Sequence, residues 1–131
     1  MNLHCLLPQI KRVYAPPDPA DGTRVLVDGL WPRGLSKERA QVDLWLRELA
    51  PSAALRRWFD HDPAKWEPFR QRYAAELDDR PAALRRLAAL VRESPLTLLF
   101  AATDEQHNNA VALRAYLEQH WAMHHDTLHD A

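Results

Sequence analysis

Leu96-Thr97-Leu98-Leu99-Phe100-Ala101-Ala102 is the stretch that decides the fold. It is apolar except for one β-branched Thr, with Pro95 before it and Thr103-Asp104 after it. Continuous rather than alternating apolarity marks a strand covered on both faces, as in a parallel sheet flanked by helices. The polar segment Thr103-Asp104-Glu105-Gln106-His107-Asn108-Asn109 follows at once. Thr103 with Gln106 three residues later matches a capping box. That match predicts a last helix from about Asp104 to about Trp121, with Ala110, Leu113, Leu117 and Trp121 on its inner face.

Working upstream, Thr23-Arg24-Val25-Leu26-Val27-Asp28 reads as a second buried strand, ended by Gly29 to Gly34 with Pro32 between them. Gln9 to Tyr14 reads as a first strand, closed by Pro16, Pro17, Pro19 and Gly22. Four helices are expected between the second and third strands. Val42, Trp45, Leu46 and Leu49 fall at i, i+3, i+4 and i+7, with Leu44 off the pattern. Ser52 caps a helix carrying Leu55, Trp58 and Phe59, and His61-Asp62-Pro63 ends it. Asp62 to Trp66 is a separate turn. Trp66, Phe69, Tyr73 and Leu77 share the next face, with Pro68 in the first turn, and Pro81 opens the fourth helix with Leu84, Leu87, Ala88 and Val91 inward.

This order predicts a single compact α/β domain over residues 1–131, with a small, mostly parallel sheet of three or more strands flanked by helices. The helical connection permits a parallel pair between the second and third strands. Ala15 to Thr23 is too short for a helical crossover, so the first two strands are either antiparallel or not adjacent.

Composition narrows the function classes. The chain has 131 residues, 47% hydrophobic and 27% charged, with a formal net charge of −1. Near-neutrality excludes a bulk electrostatic clamp on nucleic acid or membrane, but not a local patch. Residues 32–93 hold 13 basic and 10 acidic groups, whereas residues 94–131 hold one and five. Cys5 is alone, which excludes a disulfide framework and a Cys-based zinc finger. Three Gly against ten Pro leave no glycine-rich nucleotide or S-adenosylmethionine loop. Met1 to Pro8 lacks the basic start of a signal peptide, no stretch reaches membrane-helix length, and a cytoplasmic location is expected.

Ligands of open α/β sheets bind beyond the carboxyl ends of the strands. Two polar segments fall there, and parallel strands would put both on one rim. In the first, Asp28 is a general base, a metal ligand or an acceptor for its own turn. Trp31 is a packing plug or a stacking platform, and Arg33 is a structural clamp or a fork for phosphate or carboxylate. In the second, Asp104, His107, Asn108 and Asn109 are either a ligand shell or extended capping, and His107 is a candidate proton shuttle or metal ligand. Two successive Asn are poor helix formers, unusual unless their amides bond something. The helix start would favour an anion, although Asp104 and Glu105 would already complement the dipole. His61, between Asp60 and Asp62, is a third candidate or a turn residue. His120/His124 and His125/His129 have chelating i, i+4 spacing, so a divalent metal stays open, although a solvated, flexible tail over residues 121–131 is the plainer reading.

Arg24-Val25-Leu26-Val27-Asp28, Leu30-Trp31-Pro32-Arg33-Gly34-Leu35-Ser36-Lys37, Ala50-Pro51-Ser52, His61-Asp62-Pro63 and His107-Asn108-Asn109-Ala110 resemble the YeaO-like branch of domain-of-unknown-function family 488. The resemblance runs from about Gln9 to about His120. It implies a compact bacterial α/β domain without an established activity. Relatives usually have Arg where this chain has Gly29, and Gly where it has Asp60. The broader family often carries Cys-His-Arg where Asn108-Asn109-Ala110 stands here, so enzyme chemistry would have to use carboxylate, imidazole and amide groups. Two functions are expected from this sequence. One is an enzyme or binding domain for a small anionic molecule on the strand rim. The other is a non-catalytic module binding nucleic acid or a protein through the basic helical middle, where Arg56, Arg57, Arg70 and Arg72 are interleaved with Trp45, Trp58 and Trp66.

Overall fold

The computed structural model describes residues 7–130, with side chains through Trp121. Cys5, His124, His125 and His129 therefore lie outside the described residues or side chains. The described elements are β1 (Gln9–Arg12), β2 (Thr23–Leu26), α1 (Lys37–Ala40), β3 (Leu44–Trp45), α2 (Ala53–Phe59), α3 (Trp66–Asp78), α4 (Pro81–Glu93), β4 (Leu96–Phe100) and α5 (Asn109–Asp130). They form an α/β fold around one four-stranded sheet of order β1-β4-β2-β3, with every neighbouring pair parallel.

The stretch Leu96–Phe100 is the buried centre of this sheet, and each of its five residues is buried. Alternate residues feed opposite layers. Leu98 and Phe100 join Val25 and Val27 in the large core under α2 to α5, while Leu99 joins Leu26, Val13 and Ala40 in a smaller core on the other face. β1 and β2 are parallel because β4 lies between them, so the non-adjacent alternative is the one realised. The chain makes its short return through Gly22, whose φ is 65°. A Cβ there would lie 2.0 Å from the Pro95 carbonyl oxygen, so no other residue fits.

Two expectations are corrected. Val42 to Leu49 is not a helix but the edge strand β3 followed by a 3-10 turn over Arg47–Leu49. Asp43 N donates to Arg24 O and Leu46 N to Leu26 O, so the sheet edge claims this backbone. Trp45 then faces the small core while Leu44 and Leu46 face the large one. Apolar residues on both faces imitate a helical period, and Leu44, the residue off that period, carried the strand signal. The short α1 just before it is capped by Ser36, whose Oγ accepts from Arg39 N at 3.1 Å.

The last helix starts at Asn109, not near Asp104. Asp104 Oδ1 accepts from Gln106 N and His107 N, which closes a separate turn. Asn108 is the true cap, with Oδ1 accepting from Val111 N at 2.9 Å. A cap of one turn and the cap of the next element read alike in sequence, because both need a short polar acceptor. α2 and α4 begin where expected: Ser52 Oγ accepts from Leu55 N, and Pro81 stands in the first turn of α4.

Candidate functional site

The carboxyl ends of β1, β2 and β4 open into one cleft of about 780 Å³. Side chains around it hold the strand exits. Arg12 Nε donates to Ala102 O at 2.9 Å, gripping the segment after β4 from the β1 side. Asp28 grips it from the β2 side, Oδ2 accepting from Ala101 N at 2.9 Å. Asn109 Nδ2 donates to Val27 O, and its amide also lies against the Asp28 carboxylate. Burial pushes the Asp28 pKa up; Asn109, the Ala101 N–H and the Arg56 charge oppose that rise.

Asp28, Trp31, Arg33, His61, Asp104 and His107 all border the cleft, as do Asn108 and Asn109. Their roles separate on inspection. Trp31 Nε1 donates to Leu35 O at 2.7 Å and its ring meets Trp45 edge-on at 5.5 Å, which fixes it as a wall. Asn108 is 3% exposed, and both ends of its amide are used, by Val111 N and by Asp104 O. The two unusual asparagines thus bond backbone groups.

His107 differs from the framing residues. Its Nδ1 lies 2.9 Å from Asp104 Oδ2, and its ring meets Trp66 edge-on at 5.2 Å. The Gln106 N–H and this His107 contact hold the Asp104 carboxyl below its ordinary range. An ionised carboxylate only accepts, so the shared proton sits on Nδ1 and Nε2 is left for another partner. His61 is exposed at the lip with φ 54°, directly after Asp60 at 48°. Asp62 is committed to Ala64 N, so the pair of carboxylates beside His61 in sequence does not clasp it.

Sequence reasoning missed Arg56 as a rim residue, counting it with the basic helical middle. It borders the cleft from α2. Its Cζ would stand 3.8 Å from a Cβ at Gly29. Arg33 is exposed and also borders the cleft, and Tyr14 Oη donates to its carbonyl at 2.8 Å. Among the described residues, neither arginine has a carboxylate within ion-pair distance. The first turn of α5 contains no acidic residue, so Asp104 and Glu105 do not occupy its positive end after all.

The described residues contain no cluster of three or more His, Cys, Asp or Glu fit to hold a metal. His120 stacks on Tyr116 at 3.8 Å, and its Nδ1 faces the Tyr116 carbonyl. Of the interleaved tryptophans, Trp45 already carries Arg47 at 3.7 Å, and Trp58 carries Arg72 at 3.9 Å. Trp66 is packed on Phe69. No described helix is long and apolar enough to cross a membrane.

The fold and the cleft define a small parallel α/β domain with a polar, cation-bearing rim at the strand carboxyl ends. Residues 8–131 match the family described as "Inactive DUF488-N3 subclade", and the chain belongs to it. It is 40% identical over 117 residues to the uncharacterized protein YeaO of Escherichia coli K12, covering 89% of this chain and 97% of that one. It is 39% identical over 109 residues to the uncharacterized proteins Mb3100c of Mycobacterium bovis and Rv3073c of Mycobacterium tuberculosis H37Rv, covering 83% of this chain and 92% of each. No solved structure matches the chain.

Proposed function

We propose that this is a cytoplasmic bacterial domain that binds a small anionic molecule in the rim cleft without transforming it. One observation carries the reading. Arg33 and Arg56 border the cleft with no carboxylate in ion-pair contact among the described residues, whereas the Asp28 carboxylate and the Asn108 and Asn109 amides are spent on the fold. Asp28 is committed to Ala101 N, and Asn108 and Asn109 are committed to backbone groups. Arginine forks match phosphate and carboxylate oxygens in pairs, and a cleft with low-dielectric walls strengthens that attraction. His107, oriented by Asp104, adds a third polar hand. The "inactive" description of the family agrees with binding rather than turnover.

The basic-middle reading has less support, because Trp45 and Trp58 already carry guanidinium groups that would compete with a base. Thermal melts with inorganic phosphate, sulfate or citrate test the anion reading. The wild type should melt at progressively higher temperature as one of these anions is added. R33Q/R56Q should lose that dependence while remaining folded. An anion dependence equal in both proteins, or absent from the wild type, refutes the proposal.

A further inference from the structure

We infer that the anion site continues past Arg56 into a second hollow, so that its ligand carries two separated anionic groups. This rests on the anion reading above and goes further, because it names the kind of ligand. A hollow of about 450 Å³ adjoins the cleft and shares Gly29, Pro51 and Arg56 with it. Arg56 thus stands between two spaces and faces both. The second space adds Arg47 and Arg80.

These two arginines are not equivalent. Arg80 is committed: its guanidinium donates to Glu48 O and Ala50 O and lies 3.7 Å from Glu76. Arg47 lies over the Trp45 ring at 3.7 Å and has no ion pair among the described residues. The ring positions that guanidinium without neutralising it. Glu48 is the one carboxylate on this lining, so its net charge stays positive. Arg33, Arg56 and Arg47 then make a series of three cations, one in each space and one between them.

Gly29 lies at the junction. Its backbone is not in the left-handed region, and a Cβ there would meet only ordinary contacts, 3.6 Å from Ala50 Cβ and 3.8 Å from Arg56 Cζ. Neither conformation nor crowding at Cβ demands glycine. What glycine preserves is the space a longer side chain would take beside the Arg56 guanidinium. One anionic group would sit between Arg33 and Arg56, and the second between Arg56 and Arg47. Two phosphates or two carboxylates satisfy the same forks.

Titration calorimetry on the full chain with orthophosphate, tripolyphosphate, acetate and glutarate tests this. Tripolyphosphate should bind at least about tenfold more tightly than orthophosphate, or glutarate than acetate, as one added charge-assisted contact provides. Which pair shows the preference identifies the chemistry. R47Q should remove the preference and leave single-anion binding unchanged, whereas G29L, which fills the space beside the shared Arg56, should weaken binding of both anions. R85Q, on the exposed part of α4, controls for general charge attraction. Single-anion binding without a preference for the longer anion overturns the extension alone. So does a preference that survives R47Q or falls equally in R85Q. No binding of any of the four anions overturns the anion reading with it.

Discussion

Replacing Asp21 by Asn should cost this domain about 3 kcal/mol, at the lower end of the range for breaking a buried ion pair. Asp21 sits at the amino end of the sheet, opposite the cleft, and is 6% exposed. Its Oδ2 lies 2.5 Å from the Arg24 guanidinium and 3.1 Å from Lys11 Nζ, and it also accepts from Asp18 N. Arg24 is 4% exposed, so the variant strands a buried cation. The loss is moderated because Arg24 keeps its bonds to Gln41 O and Ala40 O, and Lys11 can turn to water. Asn also retains an acceptor for Asp18 N. Burial alone would raise the Asp21 pKa, but bonds from Asp18, Lys11 and Arg24 outweigh it and hold the group below its ordinary 3.8. A depressed folded pKa contributes stability that is present above the unfolded value and lost as pH falls through the folded one. Urea unfolding at neutral pH should therefore separate wild type from D21N by about 3 kcal/mol, or roughly 10 °C in melting temperature. The gap should narrow as pH falls below about 3.8. A gap under about 1 kcal/mol at pH 7, the size of an exposed pair, or one unchanged by acid, refutes the reasoning.

Three further outcomes follow from the site. D28N keeps an acceptor for Ala101 N and removes a carboxylate whose pKa burial raises, so it should be neutral to stabilising at pH 7. Because a raised carboxyl pKa penalises the folded state as pH climbs through it, melts of D28N and wild type should diverge above about pH 4 and converge below. D60G should stabilise by about 0.5–1 kcal/mol in denaturant unfolding, because φ of 48° suits glycine better than aspartate. N108A should cost about 1–2 kcal/mol and speed amide exchange in the first turn of α5, since it removes the cap on Val111 N.

Much of the fold was legible because it is written in local signals. The unbroken apolar run at Leu96–Phe100 specifies a strand covered on both faces, and Ser52 and Pro81 mark helix starts that the backbone needs wherever the helix goes. The site was half legible. Asp28 and His107 do border one cleft, because parallel strands send their exits to the same rim. Arg56 was not legible there, since an arginine on a short helix looks the same whether it faces solvent or a cleft.

The sequence by itself thus determined the α/β class, the central strand, most helix starts and the segments that reach the rim. Each depends on side-chain periodicity or on one cap residue within a few positions. Only tertiary structure decided that Leu44–Trp45 is an edge strand, that β4 separates β1 from β2, and that α5 waits for Asn109. Those outcomes turn on which distant backbone group completes a hydrogen bond: Leu26 O for Leu46 N, Phe100 O for Val13 N, and Val27 O for the Asn109 amide. Partners up to 87 positions apart leave no periodic trace in either segment, so only the folded sheet reveals them.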